Sequence, residues 1–359
     1  MLISKFMTAV QLVGHGGYDK QIYSETVLTP IPAPNEVLIR VLAAGINNTD
    51  INTRIGWYSK ENRTSTAESK GASESRTEGS WTGEGLSFPR IQGADVCGEI
   101  VGLGGGVPQS RMGERVIVQS CLCSLTQGGF TPWLGSERDG AFAQYVCAPS
   151  ADSYCVRCDY TDAELAAIPC AFATAENLIS RTRLAEGEKV LITGASGNVG
   201  IAAIQLAKRR GAEVCVIAAS NKFDSLTALG ANTCLERGAP IAAALGTGSI
   251  NVVIDVVGGP QWTELLDVLK PTGRYAVSGA IAGPMVQMDL RKLYLKDLTL
   301  FGCTTQDANV FINLIGYIER AEIRPIVTKQ YPLRDIAQAQ EDFLAKKHLG
   351  KFVMIPPSD

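Results

Sequence analysis

A strand, a glycine-punctuated turn and a helix follow one another without interruption from Lys189, beginning KVLITGASGNVG at Lys189–Gly200. Val190–Thr193 has the character of a short buried strand. Gly194, Gly197 and Gly200 recur at intervals of three, and Val199–Arg210 reads as a helix. Few folds accept that order. Glycine permits the tight turn and lets a pyrophosphate approach the backbone, and the helix offers its unpaired N–H groups and positive end to that phosphate. The segment predicts a dinucleotide-binding unit. A βα turn that needs small residues only for packing is the alternative.

Strand–helix units surround this one. Glu213–Ala219 reads as the second strand and Phe223–Leu229 as its helix. Asn251–Val257 reads as the fourth strand, Arg274–Ser278 as the fifth and Leu298–Gly302 as the sixth, with helices at Gln261–Leu269 and Ala308–Ala321. Nearly all-apolar strands alternating with helices predict an α/β fold with a doubly wound parallel sheet covered on both faces. Ahead of it, from Asp162, a helical stretch contains one proline at position 169, with Thr161 or Asp162 as its cap.

The first third is different. Thr8–Val13, Glu36–Ala44, Ile91–Gly98, Glu99–Val101, Arg115–Val118 and Phe142–Ala148 have strand character between Gly and Pro turns. They predict a twisted, barrel-like β domain. Gly45–Tyr58 reads as a loop or short helical turn. Residues 59–87 are Ser, Thr, Glu and Gly with almost nothing to bury, so they predict a mobile surface insertion; a lid closed by Trp81 is the other reading. The closing helix Asp335–Lys347 and strand Gly350–Ile355 are expected to return to the first domain, because the parallel half already has its six strands.

Composition narrows the function. The chain has 359 residues with 33 basic and 36 acidic side chains, a net charge of −3, and no sustained basic tract, so nucleic acid is not an expected partner. No apolar run reaches the roughly 18 residues a membrane span needs. Ten scattered cysteines give no secreted disulfide framework, and a cytoplasmic protein is expected. No metal site is expected either. His15 and His348 are the only histidines. Cys155 and Cys158 make one CxxC pair, whereas Cys121 and Cys123 are too closely spaced for a second. Cys170 and Asp50 are two candidate ligands without a persuasive third.

The strand that reads Glu213–Ala219 ends at Ser220, followed by Asn221 and Lys222. An NAD site usually carries an acidic residue there for the ribose hydroxyls. A serine donor and a lysine charge suit a 2′-phosphate instead, which points to NADPH; the alternative is a solvated lysine at an indifferent site.

These features together make the chain resemble the medium-chain dehydrogenase/reductase superfamily, and most closely its zinc-independent quinone oxidoreductase branch, the zeta-crystallin-like proteins. The resemblance is carried by GINNTD at 45–50, GASGNVG, DVVGG at 255–259 and GKFVM at 350–354. Zinc-dependent relatives carry a metal-binding cysteine in the first stretch and a Gly-His-Glu motif where this chain has Gly93, Ala94 and Asp95; this chain has neither the cysteine nor the histidine. The resemblance implies a GroES-like β-rich catalytic domain of 1–155 with 325–359 and a Rossmann cofactor domain of 156–324. It also implies a homodimer or tetramer built through the cofactor domain, with Leu298–Thr305 matching the pairing edge.

The implied reaction moves a hydride from NADPH to a quinone or an α,β-unsaturated carbonyl without zinc, so hydrogen-bond donors must polarise the substrate oxygen. Asn47, Asp50 and Tyr58 are the catalytic candidates. Turn formation is the other reading for Asn47 and Asp50, and surface packing for Tyr58. For the cofactor, Thr174 matches a position near the nicotinamide. Gly194, Ser196, Gly197, Asn198, Val199 and Gly200 form the pyrophosphate turn, and Ser220 and Lys222 read the phosphate. Gly258, Gly259, Ser278 and Gly279 follow the fourth and fifth strands, and Gly302 and Thr305 line the nicotinamide end. Lys351 resembles a lysine near the adenosine phosphate, or is a surface strand charge. A zinc-independent alcohol or aldehyde dehydrogenase and a non-catalytic, crystallin-like NADPH-binding protein are the competing functions.

Overall fold

The structure, a computed structural model, describes residues 3–59, 61–69 and 85–358. Trp81 and most of the insertion expected to be mobile lie outside the described residues. Two compact units form: Met1–Asn62, Ser69–Cys170 and Phe311–Asp359 make the first, and Arg63–Glu68 with Ala171–Val310 make the second.

In the first unit the chain forms β1 (Phe6–Leu12), β2 (Gln21–Leu28), β3 (Glu36–Gly45), helix α1 (Asn48–Arg54), β4 (Arg90–Ile91), β5 (Cys97–Leu103), β6 (Arg115–Val118), β7 (Tyr145–Pro149), β8 (Ser153–Cys155) and helix α2 (Asp162–Leu165). β1 pairs antiparallel with β2 and β4. A larger sheet runs β3, β5, β6, β8, with β7 also against β3. Val37, Ile39, Ile100, Val116 and Phe142 pack into its core. The stretch read as one strand over Ile91–Gly98 is interrupted instead. Gly93 takes φ +106° and its carbonyl accepts from Ala141 N–H at 2.9 Å, so residues 92–96 leave the ladder before β5 begins. Thr161 caps α2, accepting from Glu164 N–H at 3.2 Å, while the Glu164 carboxylate accepts from Thr161 N–H at 2.9 Å. A new helix, α3 (Pro169–Arg181), starts at the proline, where the missing N–H costs nothing.

The second unit holds β9 (Lys189–Ile192), α4 (Asn198–Arg209), β10 (Glu213–Ala218), α5 (Phe223–Leu229), β11 (Thr233–Glu236), α6 (Ile241–Leu245), β12 (Ile250–Asp255), α7 (Trp262–Val268), β13 (Leu269–Val277), α8 (Leu290–Tyr294) and β14 (Thr299–Gly302). The described strands form one sheet in the order β11-β10-β9-β12-β13-β14, with every pairing parallel. Counted from β9, this is the dinucleotide-fold order 3-2-1-4-5-6, with its switch point between β9 and β12. The third strand has no recognisable pattern in the sequence. It is β11, four residues with a charged end, too short to show a period. Of the insertion, residues 63–68 belong to this unit, where Thr66 N–H donates to Ile281 O at 3.0 Å.

After α9 (Ala308–Glu319) the chain forms β15 (Val327–Pro332), α10 (Ile336–Leu344) and β16 (Lys351–Ile355). β16 pairs parallel with β15 and antiparallel with β3, setting Val353 opposite Gly45 and Met354 opposite Ala44. Among the described residues no helix is long and apolar enough to cross a membrane.

One buried carboxylate ties the strand ends of the second unit together. Asp255 closes β12 at 0 % exposure. Its Oδ1 accepts from Thr193 Oγ1 at 2.5 Å and from the amides of Val257 and Gly258 at 2.8 and 3.1 Å; its Oδ2 accepts from the Tyr275 hydroxyl at 2.5 Å. Burial beside this carboxylate holds the Tyr275 hydroxyl far above its ordinary pKa, so it remains a donor. Asp255→Ala is expected to lower the stability of the second unit by about 2–4 kcal/mol, because it leaves several buried donors without an acceptor. Tyr275→Phe is expected to cost about 1–2 kcal/mol. Urea unfolding followed by amide hydrogen exchange checks both, and equal costs would show that the hydroxyl, not the carboxylate, organises the cluster.

Candidate active site

The GINNTD stretch folds as an extended strand end followed by a helix start. Asn47 is the N-cap of α1, with extended backbone at φ −126° and ψ 161°. Its N–H donates to the Asp50 carboxylate at 2.8 Å, the backward arm of a capping box. The turn reading of Asn47 and Asp50 therefore describes their backbone. It leaves the Asn47 carboxamide for other partners.

That carboxamide is held at both ends. Nδ2 donates to Asp95 Oδ2 at 2.8 Å, and Oδ1 accepts from Lys351 Nζ at 2.6 Å. Lys351 Nζ also lies 2.5 Å from Asp95 Oδ2. The other Asp95 oxygen accepts from Cys170 N–H at 2.6 Å. Asp95 is 0 % and Lys351 2 % exposed, so both charges are out of water and each is the other's compensation. Room for this contact comes from Gly45. A Cβ there would lie 2.5 Å from Asp95 Oδ2, Lys351 Cε and Ala166 O alike.

Asp50 and Tyr58 lie around the same helix. Asp50 is buried, and Gln92 Nε2 donates to its backbone carbonyl at 2.8 Å. Burial, with Asp95 nearby, pushes the Asp50 carboxyl up to about 7 against the opposing pull of the Asn47 and Ala94 amides and Lys351. The Tyr58 hydroxyl donates to Thr49 Oγ1 at 3.2 Å and also bonds the Asn52 side chain. Burial raises its pKa well above the ordinary phenol, so it is a donor at neutral pH. Lys351 is placed with Asn47 and Asp95 in the first unit and is fully buried, so neither a surface charge nor a lysine open to a phosphate describes it. Asp95 and the partnership with Lys351 were missed as site features. The available signal was chemical: a carboxylate inside the apolar run IQGADVCGEI, and a lysine opening the strand KFVMI, each need a buried partner.

The second unit presents the glycine turn between β9 and α4. Gly194 takes φ +59°, and a Cβ on Gly200 would lie 2.4 Å from Gly194 O. Gly197 caps the twelve-residue α4 with no side-chain hydrogen bond, so the amides of Asn198, Val199 and Gly200 have no intrahelical acceptor, and the first intrahelical bond runs from Ile201 N–H to Gly197 O at 2.9 Å. Ser196 lies in the same turn. These features fit a dinucleotide pyrophosphate. Ser220 and Lys222 follow the end of β10 in a short 3-10 turn, with Ser220 exposed and Lys222 half-buried. Gly258 and Gly259 take φ +63° and +74° after β12. Ser278 N–H donates to Asp255 O at 3.1 Å after β13, and a Cβ on Gly279 would meet Val256 O at 2.9 Å. Gly302 ends β14, and Thr305 O accepts from Asn177 Nδ2 at 3.2 Å. Thr174 is a half-buried residue of α3.

Neither CxxC nor CLC builds a metal centre, and among the described residues no group of three or more His, Cys, Asp or Glu is placed to hold an ion. His15 Nδ1 bonds Thr53 O at 2.8 Å, and His348 stacks on Phe352 with ring centroids 4.2 Å apart.

The raised Asp50 pKa sets a stability signature. Between the ordinary carboxyl range and pH 7 the folded state holds a proton that the unfolded chain releases, so stability falls as pH rises from 4 to 7, by at most about 1.4 kcal/mol per pH unit, and levels above. Urea unfolding at several pH values is expected to show this slope in the wild type and a flatter one in Asp50→Asn.

Two family models match the chain: an alcohol dehydrogenase GroES-like domain over residues 33–159 and a zinc-binding dehydrogenase over residues 198–320. A solved structure of a candidate alcohol dehydrogenase from Sinorhizobium meliloti is 43 % identical, covering 99 % of this chain and 98 % of that one, with a TM-score of 0.88. The acryloyl-coenzyme A reductase of Metallosphaera sedula is 29 % identical over 97 % of this chain and 99 % of its own. A quinone oxidoreductase of Lama guanicoe is 27 % identical over 98 % of both chains. With the GroES-like unit, the 3-2-1-4-5-6 sheet and these relatives in hand, the chain belongs to the medium-chain dehydrogenase/reductase superfamily, as an oxidoreductase of its quinone-oxidoreductase-like branch.

Proposed function

We propose that the protein is an NADPH-dependent reductase of quinones or α,β-unsaturated carbonyl compounds, working without zinc. The observation that carries the cofactor choice is the end of β10. Ala219, Ser220, Asn221 and Lys222 follow the strand with no acidic side chain among them, beside the glycine turn that suits a pyrophosphate. The acceptor class is supported by relatives named for quinone and acryloyl-coenzyme A reduction, which share an electron-poor double bond as the hydride target.

NADPH, when bound, supplies the hydride; the protein binds, orients and donates. The turn amides of α4 and the glycines at 194, 197 and 200 hold the pyrophosphate. Ser196, Asn198 and Val199 belong to the same cradle, and Ser220 and Lys222 hold the 2′-phosphate. Thr174, Gly258, Gly259, Ser278, Gly279, Gly302 and Thr305 are the proposed lining for the rest of the cofactor. Hydride arrival at a carbon conjugated to a carbonyl places negative charge on the substrate oxygen, which needs donors already in position. The Asn47 carboxamide is the proposed donor, and the Tyr58 hydroxyl, which donates to Thr49 Oγ1 in this structure, is proposed to turn from it to the substrate oxygen. Asp50 fixes the Asn47 backbone from its capping position. Protonation of the reduced product is left to solvent or to the Asp50 carboxyl.

NADPH oxidation is followed with 1,4-benzoquinone, an alkenal, an enoyl thioester and, in the reverse direction with NADP, a simple alcohol. Turnover of a quinone or enone in chelator-treated enzyme is expected. Activity confined to the alcohol would move the assignment to an alcohol dehydrogenase, and tight NADPH binding without any turnover to a binding protein. Lys222→Ala is expected to raise the KM for NADPH by about tenfold, the loss of one charge-assisted phosphate contact, and to leave that for NADH unchanged.

A second copy of the chain is the proposed partner, paired along β14. That strand bonds β13 alone among the described residues, and Leu290, Tyr294 and Leu295 beside it are each more than 60 % exposed. Light scattering is expected to give a dimer or tetramer, and Leu295→Asp to shift it toward the monomer.

A further inference from the structure

We infer that Lys351 and Asp95 are positioning residues that hold the Asn47 carboxamide in one orientation and aim its remaining Nδ2–H at the substrate oxygen; this rests on the reductase reading above. An asparagine amide ordinarily has two orientations, related by a flip that exchanges its oxygen and nitrogen. Here the flip is forbidden by charge. Turning it would set Nδ2 against the Lys351 ammonium, 2.6 Å away, and Oδ1 against the Asp95 carboxylate, 2.8 Å away. Both contacts would become donor against cation and acceptor against anion.

The accounting of atoms then leaves one group over. Nδ2 carries two hydrogens, and Asp95 takes one. Oδ1 takes the ammonium, and the backbone N–H is committed to Asp50. The second Nδ2 hydrogen has no partner among the described residues, in a residue only 5 % exposed. A buried donor left over in this way is suited to an oxyanion that exists only during reaction. The ammonium on Oδ1 draws electron density through the amide and makes that N–H a stronger donor than a neutral carboxamide would be. Asp95 is kept in place by the Cys170 amide, at 2.6 Å, and cannot swing toward solvent.

The pair also has a purely structural reading, in which two buried charges only neutralise each other. Removing both charges together separates the two. Lys351→Met with Asp95→Asn keeps side-chain size and leaves no orphaned ion, so folding is expected to survive, with a melting temperature near that of the wild type. The carboxamide at position 95 can still accept from Asn47 Nδ2, but Oδ1 has lost its cation. The expected result is a kcat lower by about tenfold to a hundredfold, the range for lost orienting contacts, with the KM for NADPH unchanged. A kcat within twofold of the wild type would overturn the inference and leave the pair as structural. A raised KM for NADPH at unchanged kcat would overturn it in favour of a role at the cofactor phosphate. Lys351→Gln with Asp95→Asn, which keeps a neutral donor for Oδ1 and likewise leaves no orphaned ion, is read against the same outcomes if the first double variant does not fold. Wild-type enzyme that reduces no quinone or enone would count against the reductase reading itself, before any variant is compared.

Discussion

One buried ion pair joins distant stretches of the first unit. Lys351 opens β16, and Asp95 lies in the irregular stretch that precedes β5. Asn47, at the start of α1, bridges them, and the Cys170 amide holds the far carboxylate oxygen. Four separate stretches of sequence meet at these atoms. Such a pair contributes little net stability, since desolvating two ions costs about as much as their attraction returns. Its effect is on uniqueness. A slip of β16 against β3 would carry Lys351 away from Asp95, so the register that sets Val353 opposite Gly45 is coupled to the placement of the polar site.

The second unit solves the same problem with one charge. Asp255 stands at the end of β12, next to the switch point of the sheet, and the groups bonded to it come from β13, the residue after β9 and the two amides that follow. The ends of three adjacent strands are thus locked together on the side where Gly194, Gly258 and Ser278 leave the sheet. A carboxylate there is satisfied by hydroxyls and amides rather than by a cation. The turn that follows β9 leaves the first amides of α4 outside any intrahelical bond.

Much of this was legible in the residues. The glycine spacing after Val190–Thr193, the apolar strands and the helix between them allow little besides a parallel dinucleotide fold, because the periods and turn chemistry all agree. Short elements were not legible. β11 has four residues, β2 is half-exposed on both faces, and β15 is largely polar, so none of them carries a readable period. Gly45–Tyr58 was ambiguous between loop and helix because its polar residues serve equally well as turn formers and as caps. The structure resolves it as α1, with Asn47 at the N-cap and its backbone N–H donating to the Asp50 carboxylate.

What the sequence by itself determined was local: which stretches are strands or helices, where the backbone must turn, and that no acid follows the second strand of the parallel sheet to oppose a phosphate. Those properties depend on neighbours within a few positions, and residue type suffices to express them. Which polar side chains share a site was decided only by tertiary structure. Asn47, Asp95 and Lys351 are separated by 48 and 256 positions, and the lysine read as a phosphate contact or a surface charge is instead the buried partner of an aspartate. A single buried charge shows in sequence only that a partner must exist. The identity of that partner follows from strand pairing and from the absence of a side chain at Gly45, which no local pattern encodes.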